Sequence, residues 1–205
     1  MDTIMDLSFI IPCHNLEKYI NPLLISFHNL DLTNLNVEFI FVLDGCIDHT
    51  KDIIEFNMSD YNYKLVECEV RSVGFARNEG MKVATGEFIW FVDGDDYLLD
   101  PTVLQQVLPV LRSTGRRAAK LPWDSNSYKF KIDAMVWQYI FRRDAIQNIE
   151  FSSKMPAEDN EWMRIVHRSI PPKEFYMYDK PSYYYIYRRP GSVTTQLYQT
   201  GKITY

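Results

Sequence analysis

The sequence is poor in cysteine, and the few it has are unpaired in pattern. Cys13, Cys46 and Cys68 are the whole complement. They form no C-x-x-C motif and cannot all bond to one another, which fits small buried thiols in a reducing compartment. Long apolar runs are missing too. The longest, Leu7–Ile11 and Phe39–Leu43, have the length of strands, not the roughly 18 residues of a membrane span. The first residues, Met1-Asp2-Thr3-Ile4-Met5-Asp6, carry acids where a signal peptide carries bases. An excess of positive charge is also absent. Lys and Arg number 22 against 27 Asp and Glu, a net charge of −5, which argues against nonspecific nucleic-acid binding. Neither a G-x-x-x-x-G-K-[ST] phosphate loop nor a G-x-G-x-x-G fingerprint occurs, so the common nucleoside-triphosphatase and dinucleotide readings fall away. No internal repeat or low-complexity tract is visible. The expectation is a soluble cytoplasmic protein.

What is present suits one folded domain over residues 1–205. A chain of 205 residues buries on the order of 70% of its unfolded surface and needs no disulfide staples. Aromatics are abundant at 15%, and six of the 14 Tyr fall between Tyr176 and Tyr187. Residues 1–100 alternate apolar strand-length runs with helical patterns. Leu7–Pro12, Val37–Leu43, Tyr63–Cys68 and Glu87–Val92 read as strands. Asn21 with Pro22 opens a helix as cap and first turn, Asp48 or Thr50 caps a second, and Phe75–Ala84 is a third, closed by Gly86. Asp100-Pro101 opens a fourth, Thr102–Leu111. Strand–helix alternation predicts a parallel sheet with crossover helices, and ligands of such sheets bind beyond the carboxyl ends of the strands. Residues 101–205 differ. Ser113–Lys131 is polar, basic and turn-rich, and reads as a loop. Ile132–Arg143 is mixed, Lys154–Arg168 is a loop leading into a helix, and Phe175–Tyr187 is strand-like.

Three strands hand over to polar clusters at the predicted ligand edge: Pro12-Cys13-His14-Asn15, Asp44-Gly45-Cys46-Ile47-Asp48 and Asp93-Gly94-Asp95-Asp96. The last packs three carboxylates into four residues, a repulsive arrangement unless a cation offsets it. Hard oxygen ligands at that density suit Mg²⁺ or Mn²⁺, which complete their shell with water and phosphate oxygens. Gly94 would let backbone approach the ligand. A solvated Asp-Gly turn is the competing explanation. A calcium helix-loop-helix is excluded by the missing downstream acids, and a D-x-D-x-T phosphatase strand by Tyr97 in place of Thr. Asp44 could accept from a base or ribose edge, while Asp48 reads as a helix cap. His14, His28, His49 and His167 lack metal-ligand spacing and read as ordinary polar positions. Glu158-Asp159 offers either a general base or a charged first helical turn favoured by the helix dipole; by themselves the residues favour the second.

Taken in order, these segments resemble a family 2 glycosyltransferase of the GT-A fold, from about Leu7 to Thr195. The carriers are Ile10-Ile11-Pro12-Cys13-His14-Asn15, Val42-Leu43-Asp44-Gly45-Cys46-Ile47-Asp48, Ala76-Arg77-Asn78-Glu79-Gly80 with Ala84-Thr85-Gly86, and Val92-Asp93-Gly94-Asp95-Asp96. Trp137–Arg143, Glu158-Asp159 and Tyr187–Ser192 follow. The resemblance implies a three-layer α/β fold with a mixed, mostly parallel sheet. It implies a metal-dependent, inverting transfer of a sugar from a nucleotide diphosphate, a UDP-sugar favoured, to a glycan or lipid-linked acceptor in cell-surface polysaccharide synthesis. On it, Pro12, Asn15, Asp44, Arg77, Asp93 and Asp95 bind the donor. Asp95, Asp93 and Asp96 hold a divalent cation (Mn²⁺ or Mg²⁺), and Asp159 with Glu158 is catalytic, Asp159 as base.

Two departures from the family pattern stand out. Leu43 and Cys46 replace the Asp or Asn and the Ser usual in the second motif, and the span from Asp95 to Asp159 is short. The short span and Leu43 motivate a second reading, a nucleotide-sugar-binding module with little or no transferase activity. A nucleotidyltransferase would need a Gly- and Lys-rich loop after the first strand, which Pro12-Cys13-His14-Asn15 does not offer. Tyr176–Tyr187 reads as core or homodimer contact ahead of an acceptor-stacking surface. Arg116, Arg117 and Lys120 read as a solvated loop, with at most peripheral contact to the inner membrane face.

Overall fold

Leu7–Cys13 (β1) and Val37–Asp44 (β2) are almost unbroken apolar runs, and they pair in parallel from Leu7 opposite Val37 to Cys13 opposite Leu43. Such runs form where both faces of a parallel sheet are covered. The computed structural model describes residues 4–69, 71–126, 135–152, 158–187 and 190. Tyr63–Cys68 (β3) adds in parallel outside β2, and Phe88–Phe91 (β4) in parallel on the other side of β1. Beyond β4 the direction reverses. Tyr139–Arg142 (β8) is antiparallel to β4 and to Ala118–Lys120 (β6), and Phe175–Met177 (β9) closes the sheet parallel to β6. The large sheet has seven strands in the order β3-β2-β1-β4-β8-β6-β9. A second sheet of three strands, Tyr97–Leu98 (β5), Tyr183–Tyr185 (β10) and Trp123–Ser125 (β7), runs in the order β5-β10-β7.

The helices are Asn21–His28 (α1), Thr50–Met58 (α2), Val73–Val83 (α3), Val103–Thr114 (α4), Arg143–Ile146 (α5) and Glu158–Ser169 (α6). None of the described helices is long and apolar enough to cross a membrane. Most of the buried aromatics lie in two cores, one on each face of the large sheet. Phe9, Phe27, Phe39 and Trp90 pack on one face, with Phe9 stacked on Phe39 at 5.1 Å. Ile10, Phe91, Phe141 and Trp162 pack on the other. Successive β1 residues therefore serve opposite cores, as strand geometry requires.

Several expectations change. Asn21 is the first residue of α1 rather than its cap, because the turn from Leu16 to Ile20 already leads into the helix. Gly86 is not a left-handed helix stop. Ala84 caps α3 in extended conformation, and a Cβ on Gly86 would sit 2.5 Å from the Ser8 amide nitrogen. Its glycine is demanded by contact with β1. The basic stretch 113–131 is not one loop. α4 runs to Thr114 and stops at Gly115, whose φ is +67°, and β6 and β7 follow. The three-residue strand β6 buries Ala118 and Ala119, a signal too short for periodicity and hidden between Arg117 and Lys120. Phe175–Tyr187 is two strands in two sheets, β9 and β10, rather than one. Residues 153–157 of the expected loop, together with Arg189 and Gly191-Ser192 of the expected turn, lie outside the described residues.

At the amino end of β2, Glu38 is fully buried. It accepts from the Ser8 hydroxyl at 2.6 Å and from the Thr85 amide and hydroxyl at 2.7 and 2.8 Å, with the Lys64 ammonium 2.6 Å from its other oxygen. Burial alone would raise this carboxyl, but Lys64, Ser8 and Thr85 hold it below the usual range. Its contribution to stability is therefore present above the ordinary Glu range of about 4.3 and is lost as pH falls through the lower native value. Glu38→Ala is expected to lose about 3 kcal/mol at neutral pH. Urea titrations should show the gap to wild type closing in acid.

Candidate functional site

The carboxyl ends of β1, β2 and β4 lie side by side, and their loops are stapled together by side chains that a glance at the sequence passes over. Pro12 sits near the end of β1, opposite Val42. Asn15 adopts φ +50°, and its side-chain oxygen accepts from the Ile47 amide at 2.9 Å. Asp48 accepts from the amides of Thr50 (3.1 Å) and Glu17 (3.0 Å), so it joins the start of α2 to the β1 loop. The His14 Nδ1 donates to the Asp44 carbonyl oxygen at 2.6 Å. Its role is to fasten one loop to another. Gly94 does not face outward for a ligand. A Cβ there would lie 2.5 Å from Leu16 Cδ1 and 3.1 Å from the Pro12 carbonyl oxygen, so the close approach it permits is of the β4 loop to the β1 loop.

Asp44 is buried, and its two carboxylate oxygens accept from the amides of Arg71 (2.7 Å) and Ser72 (2.6 Å). It therefore shapes the turn into α3. Ser72 caps that helix by accepting from the Phe75 amide at 3.5 Å, and one turn later α3 delivers Arg77. Arg77 is 2% exposed. Its guanidinium donates to Asp93 at 2.8 Å, Asp159 at 2.5 Å and Glu158 at 3.4 Å, and lies 5.3 Å from the centre of the Phe151 ring. The structure thus places Arg77 among the carboxylates that the resemblance assigned to donor, metal and base.

The electrostatics follow from one cation facing three acids in a dry setting. Burial works against the Arg77 charge, but Asp159, Asp93 and Glu158 outweigh it and hold its proton more tightly than usual. Asp159 experiences the converse. Burial raises its carboxyl, Arg77 lowers it, and Glu158 and Asp93 raise it again, leaving it pushed up to about 7. A carboxyl near 7 is matched to proton exchange at physiological pH.

Asp96 faces inward. It is 1% exposed, accepts from the Tyr183 hydroxyl at 2.8 Å through one oxygen and from the Ile186 amide at 2.8 Å through the other. Burial, then Asp95 and Asp93, push its carboxyl well above the usual range. Asp93 and the half-buried Asp95 are the members of the motif on the outer side. Among the described residues no three His, Cys, Asp or Glu side chains gather into a closed metal cage. Two carboxylates nonetheless fit Mg²⁺ or Mn²⁺, which take one or two from the protein and the rest from phosphate and water. The motif reading missed Tyr183, Phe151 and Ser72. The Tyr-rich cluster was the visible sign of the first, but nothing in it singled out one hydroxyl.

The sequence model of Glycosyl transferase family 2 matches residues 8–175. Poly(ribitol-phosphate) beta-N-acetylglucosaminyltransferase TarS of Staphylococcus aureus is 39% identical over 101 residues, 48% of this chain and 18% of TarS. The crystal structure of S. aureus TarS 1-349 in complex with UDP-GlcNAc matches with a TM-score of 0.83 and 24% identity, over 93% of this chain and 61% of that one. Mannosyltransferase PcManGT from Pyrobaculum calidifontis, in complex with GDP-Man and Mn²⁺, matches with a TM-score of 0.66 and 18% identity, over 88% of this chain and 60% of that one. The sequence match thus covers less than a fifth of the curated relative's length. The structural likeness bears out the GT-A fold expected from the sequence.

Arg77→Met removes the cation and leaves Asp93, Glu158 and Asp159 facing one another. A loss of about 3–5 kcal/mol at pH 8 is expected. Chemical denaturation at a series of pH values should show the deficit shrinking in acid, as protons replace the missing charge.

Proposed function

The chain belongs to glycosyl transferase family 2, and from that premise we propose that it transfers a sugar from a nucleotide-diphosphate donor to an acceptor hydroxyl. The observation that carries this reading is the meeting of Asp159, Arg77 and Asp93 at the carboxyl edge of the sheet. A UDP-sugar is the favoured donor, supported by the UDP-GlcNAc bound to TarS. The favoured acceptor is a glycan or lipid-linked glycan of a cell-surface polymer, supported by the poly(ribitol-phosphate) in the name of TarS. The proposed setting is the cytoplasm, with at most peripheral contact to the membrane.

Asp93 and Asp95 are the residues that would hold the divalent cation, a role supported by the Mn²⁺ bound to PcManGT. Bound there, the ion supplies Lewis-acid stabilisation of the charge that develops on the departing diphosphate. Asp159 takes the proton from the acceptor hydroxyl as that oxygen bonds to the anomeric carbon and the bond to the diphosphate breaks. A single displacement of this kind inverts the anomeric centre. Arg77 keeps Asp159 and Asp93 in fixed relation through the event. Pro12 and Asn15 shape the donor-side loops, and Asp44 acts through the turn at Arg71 and Ser72. The binding-only reading rested partly on Leu43. That side chain is buried in the apolar core, so the departure falls on a packing position.

Three results are expected. Calorimetric titration with UDP, GDP and CDP should show Mn²⁺-dependent binding of at least one; none would sink the donor reading. Asp159→Asn should keep that binding and lose transfer by roughly 100-fold or more. Transfer by the wild type should rise with pH through a midpoint near 7, because Asp159 must lose its proton before it can accept one; a flat profile from pH 6 to 8 would remove Asp159 from that role.

A further inference from the structure

We infer that Tyr183 is a positioning residue for the aspartate loop, setting from β10 how Asp93 and Asp95 are presented to a divalent cation and diphosphate. The inference rests on the proposed donor chemistry and names a residue that no motif assigns to it. The Tyr183 oxygen works in both directions. It accepts from the Asp93 amide at 3.1 Å and donates to the Asp96 carboxylate at 2.8 Å. One hydroxyl thereby ties the first and last acids of Asp93-Gly94-Asp95-Asp96 to one point. The loop's own turn bond, from the Asp96 amide to the Asp93 carbonyl oxygen at 3.1 Å, spans the same two residues. Asp95 lies between these ties, so its backbone is set by them.

The hydroxyl is itself held still. Tyr183 is fully buried. Its ring stacks on Trp137 with centres 4.4 Å apart and planes 11° apart. The Trp137 carbonyl in turn accepts from the Trp90 indole of β4 at 2.9 Å. On the backbone, Tyr183 is paired with Leu98 on one side and Trp123 on the other. The Ile186 amide, from the same segment, takes the second Asp96 oxygen. Two contacts, one from the first residue of β10 and one from the residue just after the strand, therefore account for both oxygens of Asp96. This acid acts on the cation through the loop it anchors.

Loss of a buried group that orients a metal-binding side chain typically weakens metal affinity by roughly 10- to 100-fold. The test is Tyr183→Phe, with Mn²⁺ binding followed by electron paramagnetic resonance in the presence of UDP and, in parallel, GDP. Tyr178→Phe is the structural control. It likewise removes a tyrosine hydroxyl that donates to an aspartate, here a part-buried bond to Asp100 at 2.7 Å, at a point outside the aspartate loop. The expected result is a loss of at least tenfold in Mn²⁺ affinity for Tyr183→Phe and none for Tyr178→Phe, although both lose thermal stability. Equal Mn²⁺ affinity in wild type and Tyr183→Phe overturns the inference while leaving the donor reading intact. No Mn²⁺-dependent nucleotide binding by the wild type overturns both. Should Tyr183→Phe fail to fold, Asp96→Asn, which disturbs the same bond from its other end, must show the loss of affinity; if it does not, the inference fails.

Discussion

The guanidinium of Arg77, dry and surrounded by Asp93, Glu158 and Asp159, is the constraint around which the candidate site is arranged. Three carboxylates converging from the end of β4 and from α6 repel one another, and their partial burial weakens solvent screening of that repulsion. Only a planar, permanently charged group with several donors can face more than one of them at once. The position of α3 follows from this need, and so does the chain of contacts that places α3. Asp44 fixes the turn before it, Ser72 caps it, and a Cβ on Gly80 would meet Ile10 at 2.4 Å, so the helix lies tight against β1. A displaced Arg77 would leave acids from two elements without their shared partner.

The same arrangement explains why the charge balance of the site is unfinished. One cation and three acids leave room for a proton, and the geometry favours Asp159 as the group that takes it. An acid held by Arg77 yet raised by burial and two acidic neighbours is neither a plain ion-pair member nor a plain surface carboxylate. The structure has put opposing influences on one group, and the raising ones prevail.

Much of the fold was legible because its strands are buried on both faces. β1, β2 and β4 announce themselves as continuous apolar runs, and the polar clusters that follow them mark the edge where ligands of such sheets bind. The helix ends were less legible. Asn21 and Gly86 carry the residue types of caps, yet one lies inside its helix and the other is a contact glycine, because local preference yields to packing. The second half hid its strands for want of length: three residues of β6 cannot show a period. Candidate site residues could be named where chemistry concentrates in sequence, as in Asp93–Asp96. Partners were missed where chemistry concentrates only in space, as with Tyr183. The roles of Asp44 and Arg77 show a related limit. A motif names the residue, but whether its side chain meets a ligand or its own protein depends on the packing around it.

The contact between β10 and the aspartate loop carries a consequence for how the molecule comes into being. Tyr183 lies 90 residues after Asp93, and Asp159 lies 82 after Arg77. During synthesis the first four parallel strands leave the ribosome well before either partner exists. The sheet therefore has its apolar runs in hand early, while Asp93–Asp96 emerges acidic and unanchored. Its final shape has to wait for residues 183–186, and closure over so long a separation is the slow kind. Chemistry of this site is consequently acquired only after the parallel strands have been made, and a translation product truncated before residue 183 would carry those strands without it.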